Sequence, residues 1–237
     1  MRFDKDFHLR TDTLHVGCLE PHAYFIPYGD DESAALDRRA DSDRFVSLCG
    51  DWDFRYYPTV NDIDDFTSSD FDRSATEKLP VPMSWQAAIG RGYDTPNYTN
   101  VNYPFPADPP FIPDDIPCGL YIRDFYISKK ALGDRLVYLD FEGVDSCFYL
   151  YVNDRFAAYS QVSHSTSEID ITPYLKDGEN TLKVLVLKWC EASYIEDQDK
   201  FRFSGIFREV YLLFRDRIHI EDLYVKTTVN ERGDQGM

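Results

Sequence analysis

Hydrophobic and polar residues alternate along much of the chain with the period of two that sends side chains to opposite faces of a β-strand. The pattern predicts strands over 45–48, 51–57, 120–127, 135–141, 147–152, 156–161, 168–171, 181–189 and 209–214. In the second of these Trp52, Phe54 and Tyr56 share one face. Asn153-Asp154 falls between two predicted strands, and both residue types tolerate the positive φ that a tight hairpin needs. Pro173-Tyr174-Leu175, followed by Asp177-Gly178, predicts a single turn before the next strand. Strands this short and closely spaced, with no amphipathic helical run among them, specify an all-β fold, an antiparallel β-sandwich of jelly-roll type.

Three stretches break the alternation, and a fourth resumes it after the sandwich. Residues 1–43 combine a polar lead, the run A-Y-F-I-P-Y and an acidic segment, too little apolar surface to fold alone, so an extended arm laid across the domain or across a neighbouring subunit is expected. An acidic, solvated loop is expected from 58 to 78. From Pro80 to Pro117 the chain carries nine of its 13 prolines, which excludes a helix or a central strand and predicts a long, stiff excursion. Loops of that length inside a compact domain are usually functional, and this one holds Trp85, Tyr93, Tyr98, Asn100 and Tyr103. Trp85 is expected to anchor it from below. Last, Ile218 and Ile220, then Leu223 and Val225, suggest a further strand over 218–229. The expected organisation is an arm (1–43), a sandwich (44–216) and the truncated start of a following immunoglobulin-like sandwich (217–237).

The densest chemistry lies in S-Y-I-E-D-Q-D-K-F-R-F-S-G-I-F-R-E-V, from Ser193 to Val210. Its mixture of acids, arginines and aromatics is unlike an ordinary polar loop. The residues alone fit two descriptions: a rigid corner in which Arg202 and Arg208 pair with Glu196, Asp197 or Glu209, or a segment presenting polar groups to a ligand.

Composition narrows the function classes. With 42 acidic against 25 basic residues the formal charge is −17 and no basic cluster interrupts it, which disfavours nucleic acid and anionic membrane as partners. Cys18, Cys49, Cys118, Cys147 and Cys190 are odd in number and contain no C-x-x-C pair, so they read as reduced thiols in a cytoplasm. The five histidines lack metal-ligand spacing and read as surface or structural residues. No apolar run approaches membrane-spanning length.

The Ser193–Val210 stretch resembles the signature near the end of the N-terminal sugar-binding domain of family 2 glycoside hydrolases, and its doubled D-Q-D form is most similar to the large bacterial β-galactosidases. P-V-P-M-S-W-Q, G-Y-D-T-P-N-Y-T-N-V-N-Y-P-F and D-P-P-F-I-P resemble the same domain in the same order, as do G-D-W-D-F, G-V-D-S and D-G-E-N-T-L. The resemblance covers about 45–214 and implies a galactose-binding-domain-like jelly roll. It departs at Phe201, where relatives often carry tryptophan, at the charged Lys200, and at Asn153-Asp154, where N-G is common.

The resemblance implies further that the parent enzyme hydrolyses terminal β-D-galactosides with retention, using two carboxylates about 5–5.5 Å apart. These belong to a barrel absent from this sequence, so no catalytic residue is assigned here and the chain is expected to be inactive alone. Substrate binding is implied for Asn100, Val101 and Asp199, and Asp199 is also implied as one ligand of a monovalent cation, typically sodium, with magnesium confined to the parent. The residues alone leave Asn100 open to an Asx-type turn and Asp199 to a salt bridge with Arg202. Arg202, Gly205 and Arg208 are expected to be scaffold, the arginines bracing the acidic segment. Expected partners are a β-galactoside, the remaining domains of the parent and a second copy of the chain met through the arm. A free-standing carbohydrate-binding module and a subunit-assembly piece are the alternatives.

Overall fold

The computed structural model describes residues 5–68, 70–100, 103–196, 199–229 and, for the backbone alone, 235–236. In chain order the strands are β1 (His15–Val16), β2 (Phe45–Ser47), β3 (Gly50–Tyr57), β4 (Glu77–Val81), β5 (Asn97–Tyr98), β6 (Cys118–Ile127) and β7 (Leu136–Phe141). They continue with β8 (Val144–Asp145), β9 (Cys147–Val152), β10 (Arg155–Ser160), β11 (Ser167–Asp170), β12 (Gly178–Leu187), β13 (Phe201–Arg202), β14 (Gly205–Ile206) and β15 (Val210–Arg215). Seven form one antiparallel sheet in the order β1-β10-β9-β12-β6-β3-β4, and four form a second in the order β11-β7-β15-β2. Asn153 and Asp154 both take positive φ, 49° and 65°, in the β9–β10 hairpin.

The faces that meet are apolar. Trp52, Phe54, Leu150, Val152, Leu182, Val184 and Val186 from the large sheet pack against Leu139, Phe141, Ile169, Val210 and Leu212 from the small one. The alternation along β12 sends Leu185 and Leu187 to the outer face, where they are buried as well. That second layer is roofed by Phe7 of the arm, Ile63 and Phe66 of the acidic loop, and Ile112 and Ile116 of the proline-rich excursion. Two expectations are thereby corrected. The 58–78 loop is not wholly solvated, because Ile63 and Phe66 seal the sheet, and Glu77–Val81 is a paired strand containing Pro80. Proline is tolerated there because β4 is the edge of the sheet.

The arm lies across its own domain. Phe7 stacks on Tyr149 and Phe156, and β1 extends the large sheet. Farther on, Leu19 N–H donates to Glu168 O at 2.8 Å, and Arg215 sits over the Phe25 ring. The expected strand over 218–229 is also corrected: 218–227 pair with no described strand, and Thr228–Val229 meet only Gln235–Gly236. Alternation without a partner leaves Ile218 and Val225 exposed.

Under the arm, β7 places Asp140 directly between Glu168 of β11 and Tyr211 of β15. Both Asp140 carboxylate oxygens are buried and meet no donor among the described residues. Burial first, then the charge of Glu168, raises this carboxyl well above the ordinary range, against the pull of Arg215. A folded-state pKa above the unfolded one means stability that is complete at low pH and declines as pH rises above about 4 toward the raised value. Asp140→Asn removes that decline, so urea unfolding should show the variant gaining stability on wild type as pH rises from 5 to 7. Parallel pH profiles for the two proteins would contradict the assignment.

Candidate functional site

Two segments that the sheets leave out meet at one end of the sandwich. The first runs from Met83 to Asn100, the second from Cys190 to Ile206, and short ladders join them. β5 pairs with β13, setting Tyr98 opposite Phe201 and Asn97 opposite Arg202. Beneath them Trp85 N–H donates to Ser204 O at 3.0 Å and Met83 N–H to Ile206 O at 2.8 Å. The Gln86 side chain closes the seam, accepting from Ser204 N–H at 2.9 Å and donating to Ser204 Oγ at 3.2 Å.

A buried cation holds each segment from below. Lys188, at the end of β12, is 5% exposed; it donates to the Asp94 carboxylate and, at 3.1 Å, to Thr95 O. Trp85, fully buried, gives its indole N–H to the same carboxylate. Arg202 is 2% exposed and donates to Glu196 O at 2.6 Å and to Ser146 Oγ at 3.4 Å, with Glu196 Oε2 at 3.9 Å. Ser146 Oγ is also 2.7 Å from Lys188 O, which ties the two anchors together. Both cations lie near the Trp189 ring, 5.4 Å away for Lys188 and 5.9 Å for Arg202. Glu196 is half-buried; that burial raises its carboxyl, while donation from Ser163 Oγ at 3.0 Å and the charge of Arg202 work the other way.

Gly205 makes the turn possible. Its φ is +121°, and a Cβ there would stand 2.5 Å from Tyr121 Oη. Arg202 and Gly205 are therefore scaffold, as the sequence suggests. Arg208 is a correction: it donates to Glu142 O at 3.4 Å and His164 O at 3.0 Å, bracing the sheet end, and among the described residues it makes no bond to the acidic segment. The strand order brings Glu142 and His164 to it, and its own flanking residues do not reveal that.

Above the anchors, the side chains singled out in the sequence come together. Tyr98 Oη donates to Asp199 Oδ1, and Asn100 Nδ2 donates to Tyr98 Oη at 3.3 Å. Asp199 thus takes a phenol and Arg202 takes Glu196, so the described contacts give Asp199 no salt bridge with Arg202. Asn100 and Asp199 are exposed, with Tyr98 and Phe201 rings 5.5 Å apart beside them. Val101 and Asp197 lie outside the described residues. The donor set here, a carboxylate and a phenol, consists of hard oxygens suited to an alkali cation and to sugar hydroxyls. Among the described residues no three His, Cys, Asp or Glu side chains are grouped to hold a metal ion. Tyr98, Asp94 and Lys188 are site residues that alternation alone does not reveal. A lysine placed between the apolar run of β12 and Trp189 is the one available signal, because a buried ammonium demands a carboxylate.

Gly205→Ala should destabilise the domain by about 2–4 kcal/mol in urea unfolding, through both the backbone strain and the clash. Gly178→Ala shares a positive φ, +93°, but meets nothing within 4 Å, and should lose only about 1 kcal/mol. Equal losses would deny Gly205 its packing role.

The family model for glycosyl hydrolases family 2, sugar binding domain, matches residues 45–216. The chain is 47% identical to a beta-galactosidase of Actinobacillus pleuropneumoniae over 220 residues, which is 93% of this chain and 21% of that protein. It is 38% identical to a beta-galactosidase of Staphylococcus xylosus, over 96% of this chain and 22% of the relative. It therefore spans about a fifth of the length of these relatives. Among solved structures, a beta-glucuronidase from an uncultured Clostridium sp. superposes with a TM-score of 0.59 at 23% identity, covering 81% of this chain and 32% of that one, and so shares the fold. The matched span contains every strand of both sheets except β1, and both anchored segments, and the chain belongs to the sugar-binding domain family of the family 2 glycosyl hydrolases.

Proposed function

We propose that this chain is the non-catalytic, N-terminal sugar-binding domain of a β-galactosidase whose remaining polypeptide carries the catalytic carboxylates and hydrolyses terminal β-D-galactosides with retention. The observation that carries this reading is the convergence of Asn100 and Asp199, 99 residues apart in sequence, on one hydroxyl at an exposed edge. The similarity to two beta-galactosidases supports galactosides as the substrate class.

In this reading Asn100 and Asp199, with Val101 beside them, form one wall of the sugar pocket. Asp199 accepts from sugar hydroxyls and gives one carboxylate oxygen to a sodium ion, whose positive charge would neutralise the wall when bound. The other ligands, and any magnesium, belong to the rest of the polypeptide. The five unpaired cysteines support a cytoplasmic setting. Residues 217–237 would lead into the following sandwich, and the arm into contacts with a second copy.

Hydrolysis of a chromogenic β-galactoside should be undetectable for the purified chain in sodium buffer. It should appear on mixing with a polypeptide that carries the missing barrel, and Asp199→Ala should then raise KM by about tenfold or more. Hydrolysis by the chain alone would overturn the non-catalytic assignment. Tight galactoside binding by the chain alone, measured by calorimetry, would favour a free-standing binding module.

A further inference from the structure

From the contacts at this edge we infer that Tyr98 is the positioning residue of the site, a hydroxyl bridge that sets the hydrogen-bonding polarity of both Asn100 and Asp199. The inference rests on the proposal that those two residues face the sugar, and it adds what fixes them and what they present.

A phenol has one proton to give and lone pairs to receive. Tyr98 gives its proton to Asp199 Oδ1 and receives one from Asn100 Nδ2, so the three groups form a chain with a single direction. That direction orients the Asn100 amide: its nitrogen is turned to the phenol, so its carbonyl oxygen points elsewhere. Asp199 keeps a carboxylate, engaged through only one of its oxygens in this bond. The edge therefore presents acceptors from both sides, a carbonyl and a carboxylate, and the ligand class that answers them carries two hydroxyl donors within one sugar ring. The same charge and oxygen set also admits an alkali cation.

The placement of Tyr98 is itself fixed by the fold. β5 sets it opposite Phe201 in register, and their rings lie 5.5 Å apart. One residue back along β5, Asn97 pairs with Arg202, the buried anchor of the other segment. Removing only the hydroxyl should thus leave the ring contact and the ladder in place.

The test has two arms. Fluorine NMR of the chain carrying 3-fluorotyrosine, with the Tyr98 resonance assigned by its loss in Tyr98→Phe, reads the surroundings of the phenol at one fixed pH in sodium-free buffer. Asp199→Asn and Asn100→Ala should each shift that resonance, since each removes or changes one partner of the hydroxyl; a Tyr98 signal indifferent to both would overturn the bridge. In the enzyme reconstituted with a barrel-carrying polypeptide, Tyr98→Phe should raise KM for a β-galactoside about tenfold and weaken the sodium dependence, with a smaller change in kcat. NMR shifts in both variants with KM and sodium dependence unchanged would show a bridge with no positioning role. If Asp199→Ala also leaves KM unchanged, it is the sugar-facing proposal that fails, while the NMR result still reports on the bridge.

Discussion

Two buried cations beside one indole hold the candidate site together. Lys188 and Arg202 are almost wholly removed from water, and each would be strongly unfavourable there without acceptors. Their acceptors are what the site is made from: Asp94 and Thr95 in one segment, Glu196 in the other. Each segment is long and irregular, and no large sheet supplies its backbone bonds. The ions supply what the sheets cannot, a fixed point deep in the sandwich from which a loop can extend and still keep a defined shape. Removing one partner of such a pair would leave a charge stranded, which is typically worth about 3–5 kcal/mol.

The arrangement divides labour by depth. At the bottom, charges are paired and dry. In the middle, Trp85, Gln86, Ser204 and the two-residue ladder of β5 with β13 knit the segments into one body. At the top, Asp199, Asn100 and Tyr98 are open to solvent and form one directional chain of hydrogen bonds. A domain that lends only an edge to a neighbouring pocket needs this gradient. Exposed side chains keep a geometry only when the backbone under them is rigid.

Much of this was legible in the sequence, and the parts that were not share a cause. Strands β6, β7, β9 to β12 and β15 follow from alternation, because one or both faces of each are buried and a period of two is the direct imprint of that burial. The strand β4 hides behind Pro80, which signals a break yet is permitted at a sheet edge. Ile63 and Phe66 hide in an acidic stretch whose average polarity obscures two side chains that point inward. Asn100 and Asp199 were accessible through resemblance alone; their meeting was not, since Tyr98 and Asp199 are 101 residues apart and nothing periodic links them. The final alternation over 218–229 shows the opposite failure, a strand pattern that no described strand answers.

The measurement that bears most directly on this account is backbone amide exchange across 93–100 and 199–206 in wild type and in Lys188→Met. If Lys188 and Arg202 anchor a single body, losing the lysine should speed exchange in both segments, including the one it does not touch, while the protection of β6, β9 and β12 stays close to wild type. Faster exchange confined to 93–100, with 199–206 unchanged, would show two independent loops and would contradict the account.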